Sequence, residues 1–221
     1  TFNGEFVSEG DATLAVRQEA GAFGDDLPAT LHTEGLPKGR GIYTLDLILK
    51  TDGIWEGRAT LKGKSVKLFF QVLKKPLGPI PGGAAPAAQS PTAEATLGVD
   101  PICTRVPACP LHAKSLDALI AKGRPVAVMF ATPARCQTQF CGPVLDQLLA
   151  VQGDYSSEVD FVHVEIYEST EGTNLVSTVS AWGIDSEPWF FTVSADGTVQ
   201  ERLDGAFATD EIRGALDRLI A

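Results

Sequence analysis

The chain has 221 residues, with 18 basic and 28 acidic side chains for a formal charge of −10; 44% of it is hydrophobic and 21% charged. That size supports one large domain or two small ones with an adequate core and no need of disulfides. No apolar run approaches the roughly 20 residues of a membrane-spanning helix. The charge is uneven: residues 1–75 hold ten basic and ten acidic residues, leaving 8 and 18 for the remainder. Such an acidic surface repels nucleic acid and reads as a solvated face. The chain opens at Thr1 in mid-pattern, so a targeting segment, with a lipid anchor as one form of it, is expected upstream.

The first 75 residues read as β structure. Tyr43, Leu45, Leu47 and Leu49 alternate with polar neighbours or Ile48, the period of a half-buried strand. Asp52-Gly53 marks a tight turn, and Trp55, Ala59 and Leu61 share one face of the next strand. Lys62-Gly63-Lys64 turns again into Val66, Leu68, Phe70 and Val72, and shorter strands fall near 12–17 and 29–33. Several short strands separated by turns predict a small β-sandwich over 1–75. Residues 76–98, PLGPIPGGAAPAAQSPTAEATLG, have a composition that builds no core and read as a linker.

From residue 99 the pattern changes. A short helix is predicted after Ser115, then a strand buried on both faces at PVAVMFAT (125–132). A helix carrying Val144, Leu145, Leu148, Leu149 and Val151 stops at Gly153, and VDFVHVEIY (159–167) is a second strand. A helix near 175–182, a hairpin of 189–193 and 199–203 about Asp196-Gly197, and a last helix capped by Thr209 complete the order. This alternation implies a mixed sheet covered by helices on both sides.

Four cysteines fall in two close pairs, Cys103/Cys109 and Cys136/Cys141. An even count fits an oxidising compartment, and four cysteines allow three connectivities. Residues five apart in a regular helix are roughly 8–9 Å apart, beyond disulfide reach. A bonded Cys136–Cys141 pair therefore needs Cys136 in a loop. Pro143 suits a first helical turn and starts the helix near Cys141, where the dipole favours a thiolate. In CTRVPACPLH (103–112), the spacing of Cys103, Cys109 and His112 superficially resembles metal ligands, with His163 as the remaining candidate. Pro107 and Pro110 exclude regular helix, so a Cys103–Cys109 loop disulfide is favoured and no metal is assigned. His163 alternates with Val162 and Val164, faces the opposite side of its strand, and reads as a structural histidine.

Three motifs carry a resemblance over about residues 110–221: Cys141-Gly142-Pro143; WGIDSEPWFF (182–191); and DGTVQERLDGAFATDEIRGALDRL. They resemble the thioredoxin-like superfamily. The whole chain resembles bacterial extracytoplasmic proteins in which an immunoglobulin-like domain precedes a thioredoxin-like one. The resemblance implies domains at 1–75 and 99–221, with 76–98 between them. It implies a thiol–disulfide oxidoreductase acting on protein thiols or disulfides without a cofactor. Cys141 would be the nucleophile, Cys136 its partner, and Pro188 a cis-proline facing them. Glu187 and Arg135 would lie where substrate passes.

The departures are specific. Val144 stands where a second cysteine of Cys-Gly-Pro-Cys belongs. The family's buried acid falls near Met129 or Phe130, neither of which can move a proton. A fixed disulfide in a non-catalytic platform for an envelope partner therefore stays open as the alternative, with a copper or zinc protein behind it.

Overall fold

The computed structural model describes residues 9–135 and 140–221. The chain divides into two compact units, Thr1–Pro76 and Leu77–Ala221.

The first unit holds five strands: β1 (Ala12–Gln18), β2 (Leu27–His32), β3 (Ile42–Thr44), β4 (Gly53–Leu61) and β5 (Lys64–Val72). They form one antiparallel sheet in the order β3-β2-β1-β4-β5. Strand β2 pairs with β1 through Leu27, Pro28 and Ala29 and with β3 through Thr30, Leu31 and His32. The predicted strand over residues 43–49 is shortened to Ile42–Thr44, where pairing with β2 ends. Lys62 and Gly63 both take positive φ, at 49° and 73°, which suits a two-residue hairpin and lets Leu61 pair with Lys64. At Gly57 a Cβ would lie 2.7 Å from Leu68 Cδ1, so a larger residue there makes the Leu68 side chain shift.

The second unit follows the predicted order. It contains α1 (Leu116–Ala121), β6 (Val126–Phe130), α2 (Cys141–Tyr155), β7 (Asp160–Val164), α3 (Ser177–Trp182), β8 (Trp189–Val193), β9 (Val199–Asp204) and α4 (Thr209–Ile220). The sheet order is β7-β6-β8-β9, with β6 and β7 parallel and the other pairs antiparallel. A parallel pair joined through α2, then α3, a hairpin and a closing helix, is the element order read from the sequence.

Alternation along β6 distributes the core. Ala127 and Met129 pack with α2 and α4, while Val126, Val128 and Phe130 pack with α1 and α3. Trp182 and Phe191 meet edge-on at 4.9 Å on the second side. Helix α2 runs past Gly153 to Tyr155, because one glycine lowers helix propensity without ending a packed helix. The cap of α4 is Ala208 rather than Thr209; the Ala208 amide donates to Glu211 Oε2 at 2.8 Å.

The segment expected to be a linker is instead fastened to the second unit from Leu77 onward. The Gly82 amide donates to the Val199 carbonyl, and the Ala85 amide to that of Gly197, each at 2.8 Å. Ser90 is buried and its Oγ accepts from the Leu116 amide at 2.8 Å. Further along, the Ala93 amide donates to the His112 carbonyl at 2.8 Å. Composition suggested a free chain, but these partners satisfy its backbone and order it.

Candidate functional site

Cys141 is the first residue of α2, as the position of Pro143 suggested. It is disulfide-bonded and 0% exposed, within the core shared by α2 and α4. Cys136 lies outside the described residues. In this bonded state the Cys141 side chain is closed off from solvent.

The loop that leads to Cys141 starts at Ala131-Thr132, directly after β6. The Thr132 amide donates to Glu187 Oε2 at 2.7 Å. The Glu187–Pro188 peptide is cis, as the resemblance implied, and Trp189 after it pairs with Phe130 at the end of β6. The Glu187 carboxyl therefore holds the root of this loop. Its burial raises the pKa, opposed by the Thr132 amide and the charge of Arg135. Arg135 donates to the Ser169 carbonyl at 3.1 Å and to that of Gly172, and its guanidinium lies 4.5 Å from the centre of the Tyr167 ring. It ties the loop to the segment after β7. Met129 and Phe130 are fully buried and supply no acid.

The second cysteine pair departs from expectation. Cys103 and Cys109 are both thiols, with their sulfurs 3.8 Å apart, so the expected loop disulfide is not formed. A disulfide would need roughly 2.05 Å. Two imidazoles converge on the sulfurs instead. His163 Nδ1 lies 3.8 Å from Cys103 Sγ, 3.4 Å from Cys109 Sγ and 3.1 Å from His112 Nε2. All four residues are buried, and their ligand atoms lie within 4.8 Å of one another. They are the described residues able to hold a metal.

The surrounding bonds fix this cluster. His163 Nε2 donates to the Ala131 carbonyl at 2.9 Å, which leaves Nδ1 turned to the sulfurs. The His163 amide donates to the Leu111 carbonyl at 3.0 Å, laying the cysteine loop along the edge strand β7. The Cys109 amide donates to Cys103 Sγ at 3.3 Å. Glu165 accepts from the Thr104 amide at 2.6 Å, and the Ala134 amide donates to Thr104 Oγ1 at 3.2 Å.

The Cys103 thiol is held far below the ordinary thiol range, chiefly by the hydrogen bond from Cys109, with burial opposing. The same bond, with burial, pushes Cys109 up. Burial lowers His112. For His163, burial is outweighed by the Cys103 sulfur and the Glu165 carboxylate, and its pKa is raised.

Sequence reasoning missed Glu165 and Thr104 and assigned His163 a merely structural place. A signal was present: His163 and Glu165 are two apart on a strand whose alternate residues, Val162 and Val164, are core. Two polar side chains directed into a packed face require partners.

No protein-family model and no curated protein matches the chain. Among solved structures, it is similar to a thiol:disulfide interchange protein, a thioredoxin family protein from Chlorobium tepidum TLS. The two share 16% identity, with a TM-score of 0.40, over 67% of this chain and 100% of that one. It is also similar to a putative thiol:disulfide interchange protein DsbE from Chlorobium tepidum, at 13% identity and a TM-score of 0.45, over 66% of this chain and 99% of that one.

Proposed function

We propose that the second unit is a thiol–disulfide exchange protein whose working pair is Cys136 and Cys141. The observation that carries this reading is a disulfide-bonded cysteine at the first residue of a fifteen-residue helix, directly after a loop rooted beside Glu187–Pro188. A helix N-terminus stabilises the thiolate that leaves when such a disulfide is attacked. Cys141, being buried, is the leaving and resolving sulfur, and Cys136 is the one that meets substrate.

The step balances as follows. A substrate thiolate attacks Sγ of Cys136, the sulfur–sulfur bond breaks, and Cys141 departs with its electron pair. A second substrate thiolate attacks the mixed disulfide and releases Cys136. The substrate is oxidised by two electrons and the cysteine pair is reduced. Run backwards, the same chemistry reduces a substrate disulfide.

Protein thiols or disulfides are the substrate class. A standing disulfide favours an extracytoplasmic setting, since disulfides persist in oxidising compartments. No helix among the described residues is long and apolar enough to cross a membrane. Arg135 is engaged with backbone carbonyls, which supports a role in shaping the loop rather than in contacting substrate.

Equilibration in defined glutathione or dithiothreitol buffers, followed by alkylation and mass mapping, tests the reading. We expect the Cys136–Cys141 bond to open at potentials above roughly −300 mV and Cys136→Ser to abolish mixed-disulfide formation. A bond that survives below that potential is a fixed brace, and the exchange reading then fails.

A further inference from the structure

Four side chains from two distant parts of the sequence present two sulfurs and two ring nitrogens to one point on the α2-facing side of β7. We propose that Cys103, Cys109, His112 and His163 form a closed tetrahedral site for one zinc ion, which pins the cysteine loop to β7 and keeps this pair out of thiol exchange.

The distances carry the argument. A tetrahedral centre with metal–sulfur bonds of about 2.3 Å and metal–nitrogen bonds of about 2.0–2.1 Å requires edges of about 3.8 Å for S···S, about 3.5 Å for S···N and about 3.3 Å for N···N. Four of the six edges are 3.8 Å between the sulfurs, 3.8 and 3.4 Å from His163 Nδ1 to the sulfurs, and 3.1 Å between the imidazole nitrogens; the two from His112 to the sulfurs are at most 4.8 Å, so His112 closes in slightly when a metal binds. The sulfurs are too far apart for a disulfide and suitably placed to share a cation.

Charge and hydrogen bonding agree with that geometry. Two thiolates balance one divalent cation, so the group as a whole buries no net charge; either sulfur charged alone would be costly. Metal binding displaces both thiol protons to solvent. The tautomer is set by the His163 Nε2 proton on the Ala131 carbonyl, the outer-shell bond that a metal-bound imidazole requires. The Cys109 amide supports the Cys103 sulfur from behind.

Donor type selects the metal, because two sulfurs and two nitrogens in tetrahedral array suit zinc. Four protein ligands, all buried, leave no open position, so the ion is structural rather than catalytic. The position also has a consequence for exchange. The His163 bond ends on Ala131, and the next amide, that of Thr132, is bound by Glu187. The zinc site thus fixes one side of the residue pair from which the Cys141 loop departs.

The test uses the full chain, reduced and purified without chelator, and loaded with zinc alone. Native mass spectrometry and elemental analysis should give one zinc per chain. The Cys136→Ser/Cys141→Ser double variant should keep it, so the result does not depend on the exchange reading. Cys109→Ser and His112→Ala should each weaken binding at least tenfold. Cobalt substitution in the wild type reads the site even where a variant does not fold: it should give intense tetrahedral ligand-field bands and thiolate-to-cobalt charge transfer. Absence of stoichiometric zinc in the reduced wild type after anaerobic loading would overturn the proposal. So would an octahedral cobalt spectrum, or undiminished zinc in folded His112→Ala.

Discussion

Cys103 with Cys109, and Cys141 further along the chain, are all buried against the same face of one sheet, yet their surroundings differ. Around the first pair stand two imidazoles, a buried carboxylate and backbone amides aimed at sulfur. Cys141 instead has a helix N-terminus behind it and apolar core around it, and it is disulfide-bonded. On the readings proposed above, nitrogen donors hold one pair of sulfurs apart at ligand distance, whereas a helix start favours the departure of the other sulfur as a thiolate. Two cysteine pairs of similar spacing can therefore serve different chemistry, and what decides between them is contributed by other elements.

The largest effect that can break this contrast is at His163. His163→Ala removes a zinc ligand, the bond to Ala131 and a fully buried ring, and should cost about 3–5 kcal/mol of stability. Chemical denaturation of the zinc-loaded protein measures it, and a loss below about 1 kcal/mol would mean the cluster is not structurally tied together. Next is Cys141→Ser, which places a hydroxyl in apolar core at a cost of about 1–3 kcal/mol and should reduce insulin-reduction activity to background. Equal activity loss in Cys103→Ser and Cys141→Ser, at unchanged zinc content in the latter, would show that both pairs work in one relay.

A smaller effect follows from Glu187. Its carboxyl has a raised pKa in the folded protein because it is buried. Its contribution to stability is therefore fully present below the ordinary carboxylate pKa and is lost as pH rises through the raised value. Glu187→Gln keeps an oxygen acceptor for the Thr132 amide and cannot ionise. Denaturation at pH 4 and pH 7 should show the variant gaining on the wild type at the higher pH; a gain confined to the lower pH would reverse the sign. The smallest effect serves as a control. Asp160, at the start of β7, pairs with Lys114 and Arg124 at 2.7 Å each. Asp160→Asn should cost about 1 kcal/mol or less and leave zinc content unchanged, because it loosens the strand away from His163.

Much of the second unit could be read in advance. The apolar run 125–132 became the central strand β6, and Pro143 with Cys141 marked the start of α2. The strap over residues 77–98 could not, because its ordering depends on Gly197, Val199 and Ser115, which composition does not reveal. The cysteine cluster was half visible. Alternation placed His163 on the correct face, but the groups it meets lie 51 to 60 residues earlier in the chain. Local spacing around Cys103 and Cys109 allowed a bridge, and the imidazole that approaches both sulfurs is a fact of tertiary structure. The strand order of the first unit, β3-β2-β1-β4-β5, was likewise not legible, since turn spacing counts strands without saying which of them pair.

The direct measurement of the contrast is differential alkylation of the anaerobically purified chain under native conditions, read by mass spectrometry together with the intact mass. The expected result is one zinc per chain, with Cys103 and Cys109 shielded until a chelator is added, and Cys136 and Cys141 linked until mild reduction. A Cys103–Cys109 disulfide in protein that carries no zinc would contradict it.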